Sequence, residues 1–274
     1  MRPLVLKFGG ELLEDRSQLS TVVGAVRTIA EGSPIVIVHG GGREIDAALK
    51  TTGIEKRQVD GLRITDPATL DVVVAVLAGT INTRFVAALN AAGVRAVGLT
   101  GADDHVGLSS AAPPHRAVDG RLVDLDRVGL PAQESSTRLL ETLLERRFVP
   151  VLACIGAGVN GDLFNVNADT LAGHIAARVG ARRLVIAGTT AGVLDANGRT
   201  LPVLDASAVA ELVDAGTATA GMIAKLRACE HALAAHVDDV VIVDGRDGAT
   251  LVLAATPGHN APASATRLVR MVTA

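Results

Sequence analysis

The stretch LVLKFGG, residues 4–10, decides the fold because it joins an apolar strand to a charged and glycine-rich end. Four of the five residues from Leu4 to Phe8 are apolar. Such a run is typical of a strand covered on both faces of a sheet. Lys7 interrupts the run, and Gly9 and Gly10 follow almost at once. The rest of the sequence explains why this ammonium group lies at the end of a buried strand.

Apolar runs of the same kind recur along the chain, and helical patterns lie between them. This alternation predicts an α/β fold around a mainly parallel sheet. The segment 101–130 is rich in turn formers and predicts loops and a hairpin at one rim. The predicted strands are 4–8, 34–40, 95–100, 149–155, 183–188 and 239–245. The predicted helices are roughly 17–31, 43–52, 67–91, 134–147, 168–179, 205–215 and 221–236.

Glycines end many of these runs. In an open α/β sheet, ligands bind beyond the carboxyl ends of the strands, where loops lead into helices. Glycines at these positions let backbone amides approach an anion closely. We therefore expect one long crevice lined with amides, and Lys7 would lie where a strand opens onto a site for negative charge. The glycines are Gly9, Gly10, Gly40, Gly41, Gly42, Gly98, Gly101, Gly156, Gly158, Gly188 and Gly245.

The composition of the 274-residue chain favours a small-molecule partner. A hydrophobic content of 49% supplies a core, and a net charge of −3 gives no basic footprint for nucleic acid or an anionic membrane. No apolar stretch reaches ~18 residues, and the first strand lies too close to Met1 for a signal peptide, so we expect a cytoplasmic protein. Cys154 and Cys229 are too few for a disulfide framework and are expected to pack as small hydrophobic residues.

Lysine is rare in this chain. Only four of the 26 basic residues are lysines. A background that favours arginine would tend to replace a lysine serving only as surface charge, so each remaining lysine is a candidate for a role that needs a compact ammonium. Lys7 and Lys225 neighbour glycine-rich turns, whereas Lys50 and Lys56 lie in a polar stretch and are expected to be solvated.

Three common glycine motifs are absent. A Walker A loop needs the dipeptide GK, which the chain lacks. A dinucleotide fingerprint that begins at Gly40 would have Ile45 in place of its third glycine. The HGGG of residues 39–42 is typical of lipase oxyanion loops, but no GxSxG nucleophile motif accompanies it. These absences disfavour P-loop, Rossmann and hydrolase functions.

Seven motifs together carry a resemblance to a known family. The sequence resembles the amino acid kinase family over nearly its whole length, and within it the members that phosphorylate the side-chain carboxylate of N-acetylglutamate in arginine biosynthesis. The resemblance implies a three-layer αβα sandwich around a mainly parallel sheet, as in carbamate kinase. The motifs are KFGGELL (7–13), VHGGG (38–42), DGLRIT (60–65), LAGTINTRFVAAL (77–89), FNVNADTLAG (164–173), GVLD (192–195) and AGMIAKL (220–226).

By the resemblance, three residues carry the catalysis. Phosphoryl transfer to a carboxylate depends on positioning and on positive charge around the transferring oxygens. The resemblance implies that Lys7 and Lys225 approach the phosphoryl group from two sides and that Asp169 holds both lysines in position. The alternative for Asp169 is a stabilising charge in the first turn of its helix.

The resemblance also implies the substrate site. Arg63 would grip the α-carboxylate of the amino acid, since a guanidinium pairs with both carboxylate oxygens. Gly41 and Gly42 would donate amides, and Asn165 would bind the amino acid, although Asn165 and Asn167 could instead cap the helix that follows. His39 is expected to be a packed strand-end side chain rather than an acid or base.

The nucleotide, ATP with Mg²⁺ carried on its phosphates, would occupy the second half of the chain by the same resemblance. No protein-bound metal site is expected. Where relatives commonly carry aspartate and valine, this chain has Thr189 and Thr190, and Ala220 and Ala224 are further departures that leave nucleotide preference open. The residues implied in phosphate and nucleotide binding are Gly9, Gly10, Thr189, Thr190, Gly192, Leu194, Thr217, Gly221 and Met222.

The resemblance further implies one kinase domain over residues 1–274 that forms a homodimer. An N-lobe of about 1–160 would bind the amino acid and dimerise, and a C-lobe of about 161–274 would bind the nucleotide. Two alternatives stay open at this point. The first is a kinase of acetylated or carrier-linked aminoadipate in lysine biosynthesis, because one methylene changes pocket energetics by only about 1–3 kcal/mol. The second is a catalytically silent domain that senses amino acids.

Overall fold

An eight-stranded sheet forms the centre of the computed structural model, which describes residues 1–214, 220–256 and 261–270. Its strand order is β14-β16-β15-β13-β1-β2-β10-β5. The strands from β15 to β5 run parallel, whereas β16 is antiparallel to β15. The strands are β1 Leu4–Phe8, β2 Ile35–His39, β3 Gln58–Val59, β4 Leu62–Arg63, β5 Ala96–Thr100, β6 Ser109–Ala111, β7 His115–Arg116, β8 Leu122–Val123, β9 Val128–Pro131, β10 Val149–Ala153, β11 Ile155–Ala157, β12 Leu163–Val166, β13 Arg183–Gly188, β14 Val203–Leu204, β15 Asp239–Asp244 and β16 Ala265–Leu268.

Helices cover both faces of this sheet. Phe8 packs edge-on against Phe85 of helix α5, with ring centroids 5.9 Å apart, while the preceding residue Lys7 pairs with Asp169 of helix α7. Since successive residues of a strand point to opposite faces, α5 and α7 lie on opposite sides of the sheet. The helices are α1 Glu11–Glu14, α2 Arg16–Gly32, α3 Gly42–Thr52, α4 Pro67–Val74, α5 Asn82–Ala91, α6 Arg138–Glu145, α7 Ala168–Arg178, α8 Ala206–Asp214, α9 Ala220–Ala234 and α10 Gly248–Ala255, with a π-helix at Ala75–Ile81 and a 3₁₀-helix at Asp103–His105.

The layers confirm the predicted three-layer αβα sandwich around a mainly parallel sheet. Helix α2 packs against α5 and α10 in one layer, and α7 packs against α9 in the other. Strand β1 lies in the middle of the sheet, where Lys7 is level with Val38 of β2 and Ile186 of β13. The carboxyl ends of these three strands therefore meet at one edge of the sheet.

A second sheet, with the order β11-β12-β9-β6, was absent from the sequence-based expectation. Its strands are three or four residues long, too short for a clear alternating pattern. The run 149–155 divides at Cys154, so that β10 joins the large sheet and β11 joins the small one. The hairpin of β7 and β8 within 101–130 agrees with the expected loops and hairpin.

The helical segment Pro67–Ala91 is long and apolar enough, by length and composition alone, to cross a membrane. The expectation that no segment reaches this length therefore needs correction. The segment consists of α4, the π-helix and α5, and 39% of its apolar window is buried inside the structure. Its buried residues Val73, Ile81 and Phe85 belong to the hydrophobic core. Core helices pass the same test of length and hydropathy.

A buried ion network joins strands at the amino end of the sheet. Asp239 accepts hydrogen bonds from Nε and Nη2 of Arg183, both at 2.7 Å, and from Nε of Arg267, also at 2.7 Å. Arg183 also donates to the backbone carbonyl of Ala254 in helix α10 and to that of Thr256, which follows this helix. The network fixes β13, β15, β16 and the end of α10 to one another.

We expect Asp239→Asn to lower the free energy of unfolding by about 3 kcal/mol or more, because it leaves the Arg183 charge buried and incompletely paired. Urea unfolding measures this change. Asp238→Asn is the matched control, since Asp238 pairs at 2.8 Å with Arg2 while both side chains are about half exposed, and such a pair contributes at most about 1 kcal/mol. Equal effects of the two substitutions would contradict the structural role of Asp239.

Candidate active site

The loops after β1 and β2 form one side of a crevice at the carboxyl edge of the sheet. Hydrogen bonds continue past the strand ends, from the Gly9 amide to the Ala187 carbonyl at 3.0 Å and from the Gly40 amide to the Phe8 carbonyl at 3.1 Å. A Cβ atom built on Gly10 would lie 2.5 Å from Cα of Gly41, so the two backbones touch. The predicted glycine-lined crevice therefore depends on glycine at both positions.

The π-helix closes the other side of Gly41. A Cβ atom on Gly41 would lie 2.1 Å from Cδ1 of Ile81 and 2.9 Å from Cδ2 of Leu77. Both side chains belong to the π-helix and are buried. Gly41 precedes the first residue of α3, Gly42. The first amides of a helix have no intrahelical acceptor, so amides at the start of α3 are available to an anion.

Lys7, Asp169 and Lys225 meet in this crevice. Nζ of Lys7 lies 2.9 Å from Oδ1 of Asp169, and Nζ of Lys225 lies 3.2 Å from Oδ2. Lys7 and Asp169 are only 7% and 9% exposed. Two lysines separated by more than two hundred residues thus share one buried carboxylate, as the sequence analysis predicted. The charge of the three groups sums to +1 and leaves the site open to an anion.

The pKa shifts follow from burial and from these three charges. Burial lowers the pKa of Lys7, but the charge and hydrogen bond of Asp169 outweigh burial and raise it, with a smaller contribution from Glu11. Burial and the nearby Lys7 charge lower the pKa of Lys225 despite Asp169. Burial raises the pKa of Asp169, but the two lysines lower it overall. Asp169 is therefore held as a carboxylate, and Lys225 loses its proton before Lys7 as the pH rises.

Helix contacts explain how Lys225 reaches Asp169. A Cβ atom on Gly173 of α7 would lie 2.8 Å from the backbone oxygen of Ala228 on α9, so the two helices approach closely at this point. Asp169 lies one turn before Gly173, and Lys225 lies one turn before Ala228. Asn167 fixes the start of α7, because its Oδ1 accepts from the amides of Asp169 and Thr170 at 2.9 and 3.0 Å.

Arg63 is held through one terminal nitrogen of its guanidinium, and the other terminal nitrogen has no hydrogen-bond partner among the described residues. Its Nη2 donates to Oδ1 of Asp46 at 2.5 Å and to the carbonyl of Gly42 at 3.4 Å. Its Nη1 is buried and has no hydrogen-bond partner among the described residues. Asp46 also pairs with Lys56 at 2.8 Å. Arg63 therefore lies beside the loop that contains Gly41 and Gly42 and keeps a buried donor for a ligand.

Asn165 is connected to the Arg63 segment and does not cap α7. Its Nδ2 donates to Oγ1 of Thr65 at 3.0 Å, and this hydroxyl donates to the carbonyl of Arg63 at 3.2 Å. The capping alternative applies to Asn167 instead. Thr65 is fully buried, so it joins two predicted substrate-binding residues through one side chain.

His39 is a packed strand-end side chain, as expected. Burial lowers its pKa to about 4. Its Nδ1 lies 3.2 Å from the Gly40 carbonyl, and its Nε2 lies 3.1 Å from Nδ2 of Asn82. These contacts fit a neutral ring that donates through Nδ1 and accepts through Nε2. Cys154 donates its thiol to the His39 carbonyl at 2.9 Å, and Cys229 is buried as well.

The predicted nucleotide residues lie on the loop after β13 and at the start of α9. Gly188 and Gly9 belong to neighbouring strand ends, and Thr189 and Thr190 follow directly. Gly192 has a positive φ of 76° and packs against Thr266, while Leu194 is 42% exposed. Gly221 and Met222 lie in the first turn of α9. Thr217 lies outside the described residues.

Sequence reasoning missed several residues that build this site. Asp46, Thr65 and Gly173 lie within helices or a short motif where nothing distinguishes them until their partners are known. Within residues 1–214, 220–256 and 261–270, no group of three or more His, Cys, Asp or Glu side chains is placed to hold a metal ion. The ring of His174, on the same helix as Asp169, contacts the hydroxyl of Ser135 at 3.0 Å.

The chain belongs to the amino acid kinase family, whose model matches residues 2–244. It is therefore a phosphotransferase. A curated acetylglutamate kinase from Sphingopyxis alaskensis is 42% identical over 248 residues, which make up 88% of this chain and 82% of that protein. The family named from the sequence motifs is confirmed.

Two solved structures confirm the fold. N-acetylglutamate synthase from Neisseria gonorrhoeae matches with a TM-score of 0.82 and 23% identity over 98% of this chain, which spans 59% of the synthase chain. Carbamate kinase from Giardia lamblia matches with a TM-score of 0.70 and 15% identity over 98% of both chains. The predicted carbamate kinase-like architecture is therefore correct.

We expect Gly173→Ala to lower kinase turnover by up to about 10²-fold, because the added Cβ forces α9 away from α7 and moves Lys225 off Asp169. Steady-state turnover below the unfolding temperature measures this loss. Gly24→Ala is the control, since a Cβ atom on Gly24 of α2 meets nothing within 4 Å. That control should retain full turnover, and an equally active Gly173→Ala variant would contradict the role of the helix contact.

Proposed function

We propose that this chain is an ATP-dependent acetylglutamate kinase of arginine biosynthesis. It would transfer the terminal phosphoryl group of ATP to the side-chain carboxylate of N-acetyl-L-glutamate and form N-acetylglutamyl 5-phosphate. The observation that carries the proposal is the meeting of Lys7 and Lys225 on Asp169. The acceptor is supported by the acetylglutamate kinase that shares 42% identity over 88% of this chain.

The two lysines would stabilise the transferring group. Negative charge spreads over the phosphoryl oxygens in the transition state, and fixed positive charge nearby lowers its energy. An ammonium has three N–H donors, and each lysine contacts Asp169 through one carboxylate oxygen only, so the other donors can reach phosphoryl oxygens. Removal of one such donor costs about 3 kcal/mol in comparable sites. Asp169 holds the two cations together before the substrate arrives.

The reaction needs no general base. The acceptor is a carboxylate with an ordinary pKa of about 4.3, so it is already ionised near neutral pH. This agrees with the environment of His39, which is fully buried and fixed by Asn82 and Gly40. The chemistry of the chain is therefore one of charge and orientation rather than of proton removal.

The amino acid would lie against the N-lobe. Arg63 has a buried free donor for the α-carboxylate, and the amides of Gly41 and Gly42 lie beside it. Asn165 would contact the substrate through the part of its amide that does not bind Thr65. We assign this substrate-binding role to an N-lobe of about 1–160, which would also form the contact of a homodimer.

The nucleotide would bind the C-lobe, about 161–274, and extend its phosphates toward Gly9 and Gly10. ATP would bring Mg²⁺, which neutralises part of the charge on the phosphates. The sheet passes without interruption from one lobe to the other, because β1 pairs with β13. We place the enzyme in the cytoplasm. The proposed nucleotide contacts are Thr189, Thr190, Gly192, Leu194, Thr217, Gly221 and Met222.

An ATPase assay with four acceptors tests the proposal. Purified protein would receive N-acetylglutamate, N-acetylaminoadipate, glutamate or aspartate, and hydroxylamine would trap any acyl phosphate. We expect trapped product with N-acetylglutamate at a kcat/KM at least tenfold above that with the longer acceptor. A reversed preference would assign the lysine-pathway function instead. Absence of product with every acceptor would favour the silent sensing domain.

We expect Arg63→Ala to raise the KM for N-acetylglutamate by about 10- to 150-fold, which corresponds to the loss of a charged hydrogen bond worth about 1.5–3 kcal/mol. The KM for ATP should change little. Lys56→Ala is the matched control, because Lys56 pairs with the same Asp46 and its side chain is 41% exposed. An equal rise in KM for both substrates would show that Arg63 does not bind the amino acid.

A further inference from the structure

Glu11 places a carboxylate inside the crevice. A Cβ atom built on Gly9 would lie 2.3 Å from Oε1 and 2.5 Å from Oε2 of Glu11, and one built on Gly188 would lie 3.5 Å from Oε1. The carboxylate therefore lies in the gap between the loop after β1 and the end of β13. This is the same edge of the sheet at which Lys7 meets Asp169.

Packing fixes the position of Glu11. The next residue, Leu12, is fully buried, and a Cβ atom on Gly245 would lie 2.5 Å from its Cδ1. Leu13 is buried as well, so α1 is held against the core by its middle residues. Glu11 and Glu14 remain half-buried at the two ends of the helix, and Glu14 lies 3.9 Å from Arg43.

The Glu11 carboxylate has no hydrogen bond and no ion pair among the described residues. Its charge nevertheless acts on Lys7, which it helps to keep protonated. A carboxylate without a protein partner repels the phosphates of a nucleotide that binds beside it. Like charges repel strongly at the low effective dielectric constant of a partly buried site. A divalent cation between them removes this repulsion.

We propose that Glu11 binds the Mg²⁺ that ATP brings into the crevice. This inference rests on the proposed kinase function and adds one protein ligand to a metal otherwise held by phosphates. Mg²⁺ suits such a site, since it prefers oxygen ligands and is commonly bound by one or two carboxylates together with phosphates and water. A single carboxylate is sufficient, so no cluster of three acidic side chains is required.

Calorimetric titration without acceptor tests this proposal. Wild-type protein, Glu11→Gln and the control Glu14→Gln would each be titrated with ATP in excess Mg²⁺ and with ATP in EDTA. We expect the wild type and Glu14→Gln to bind the magnesium form about tenfold or more tightly than free ATP. Glu11→Gln should bind the two forms with nearly equal affinity, because it loses the metal contact and the repulsion together.

Two results would overturn the proposal that Glu11 binds Mg²⁺ and leave the proposed kinase function intact. One is an unchanged preference for the magnesium form in Glu11→Gln, and the other is an equal gain in affinity for both forms, which would make Glu11 only a source of repulsion. If the wild type binds neither form, the proposed kinase function fails, and the inference fails with it. Thermal unfolding of each variant checks that all three proteins are folded under the titration conditions.

Discussion

One buried carboxylate holds two ammonium groups, and this unequal pairing governs the rest of the structure. Asp169 pairs with both Lys7 and Lys225 and balances only one of their two charges, in a place with little water. Such a site is costly until an anion completes it. The parallel strands, the close contact of α7 with α9 and the glycine loops all serve to bring these three groups together and to leave room beside them.

The network around Asp239 shows why the type of cation matters. Asp239 also lies between two positive groups, but Arg183 holds it with two parallel hydrogen bonds and donates its Nη1 to two carbonyls. Every nitrogen of the Arg183 guanidinium therefore has an acceptor within the protein. The two lysines make contacts with Asp169 and with no other acceptor among the described residues. The planar guanidinium of arginine suits an ion pair whose hydrogen bonds are all made within the protein. The compact ammonium of lysine keeps N–H donors for a ligand.

Much of this arrangement could be predicted from the sequence, and the rest depends on contacts that sequence patterns do not record. The apolar run around Lys7 and the glycines at the strand ends gave the parallel sheet and the position of the crevice. Gly173 gave no signal, because its importance lies in a backbone oxygen of Ala228 that is distant in the chain. Asp46 resembles any exposed helical acid until Arg63 is seen beside it. The strands of the small second sheet are too short to show an alternating pattern of apolar and polar residues.

The central place of β1 has a consequence for synthesis of the protein. Leu4 to Phe8 pair on one side with β2, which follows within about forty residues, but on the other side with β13, which begins at Arg183. At ribosomal speeds of about 5–20 residues per second, one edge of this apolar strand stays unpaired for on the order of ten seconds or more. An unpaired apolar edge is a template for association between nascent chains. The first strand made thus waits long for its second neighbour, and slower translation prolongs the interval in which it needs protection.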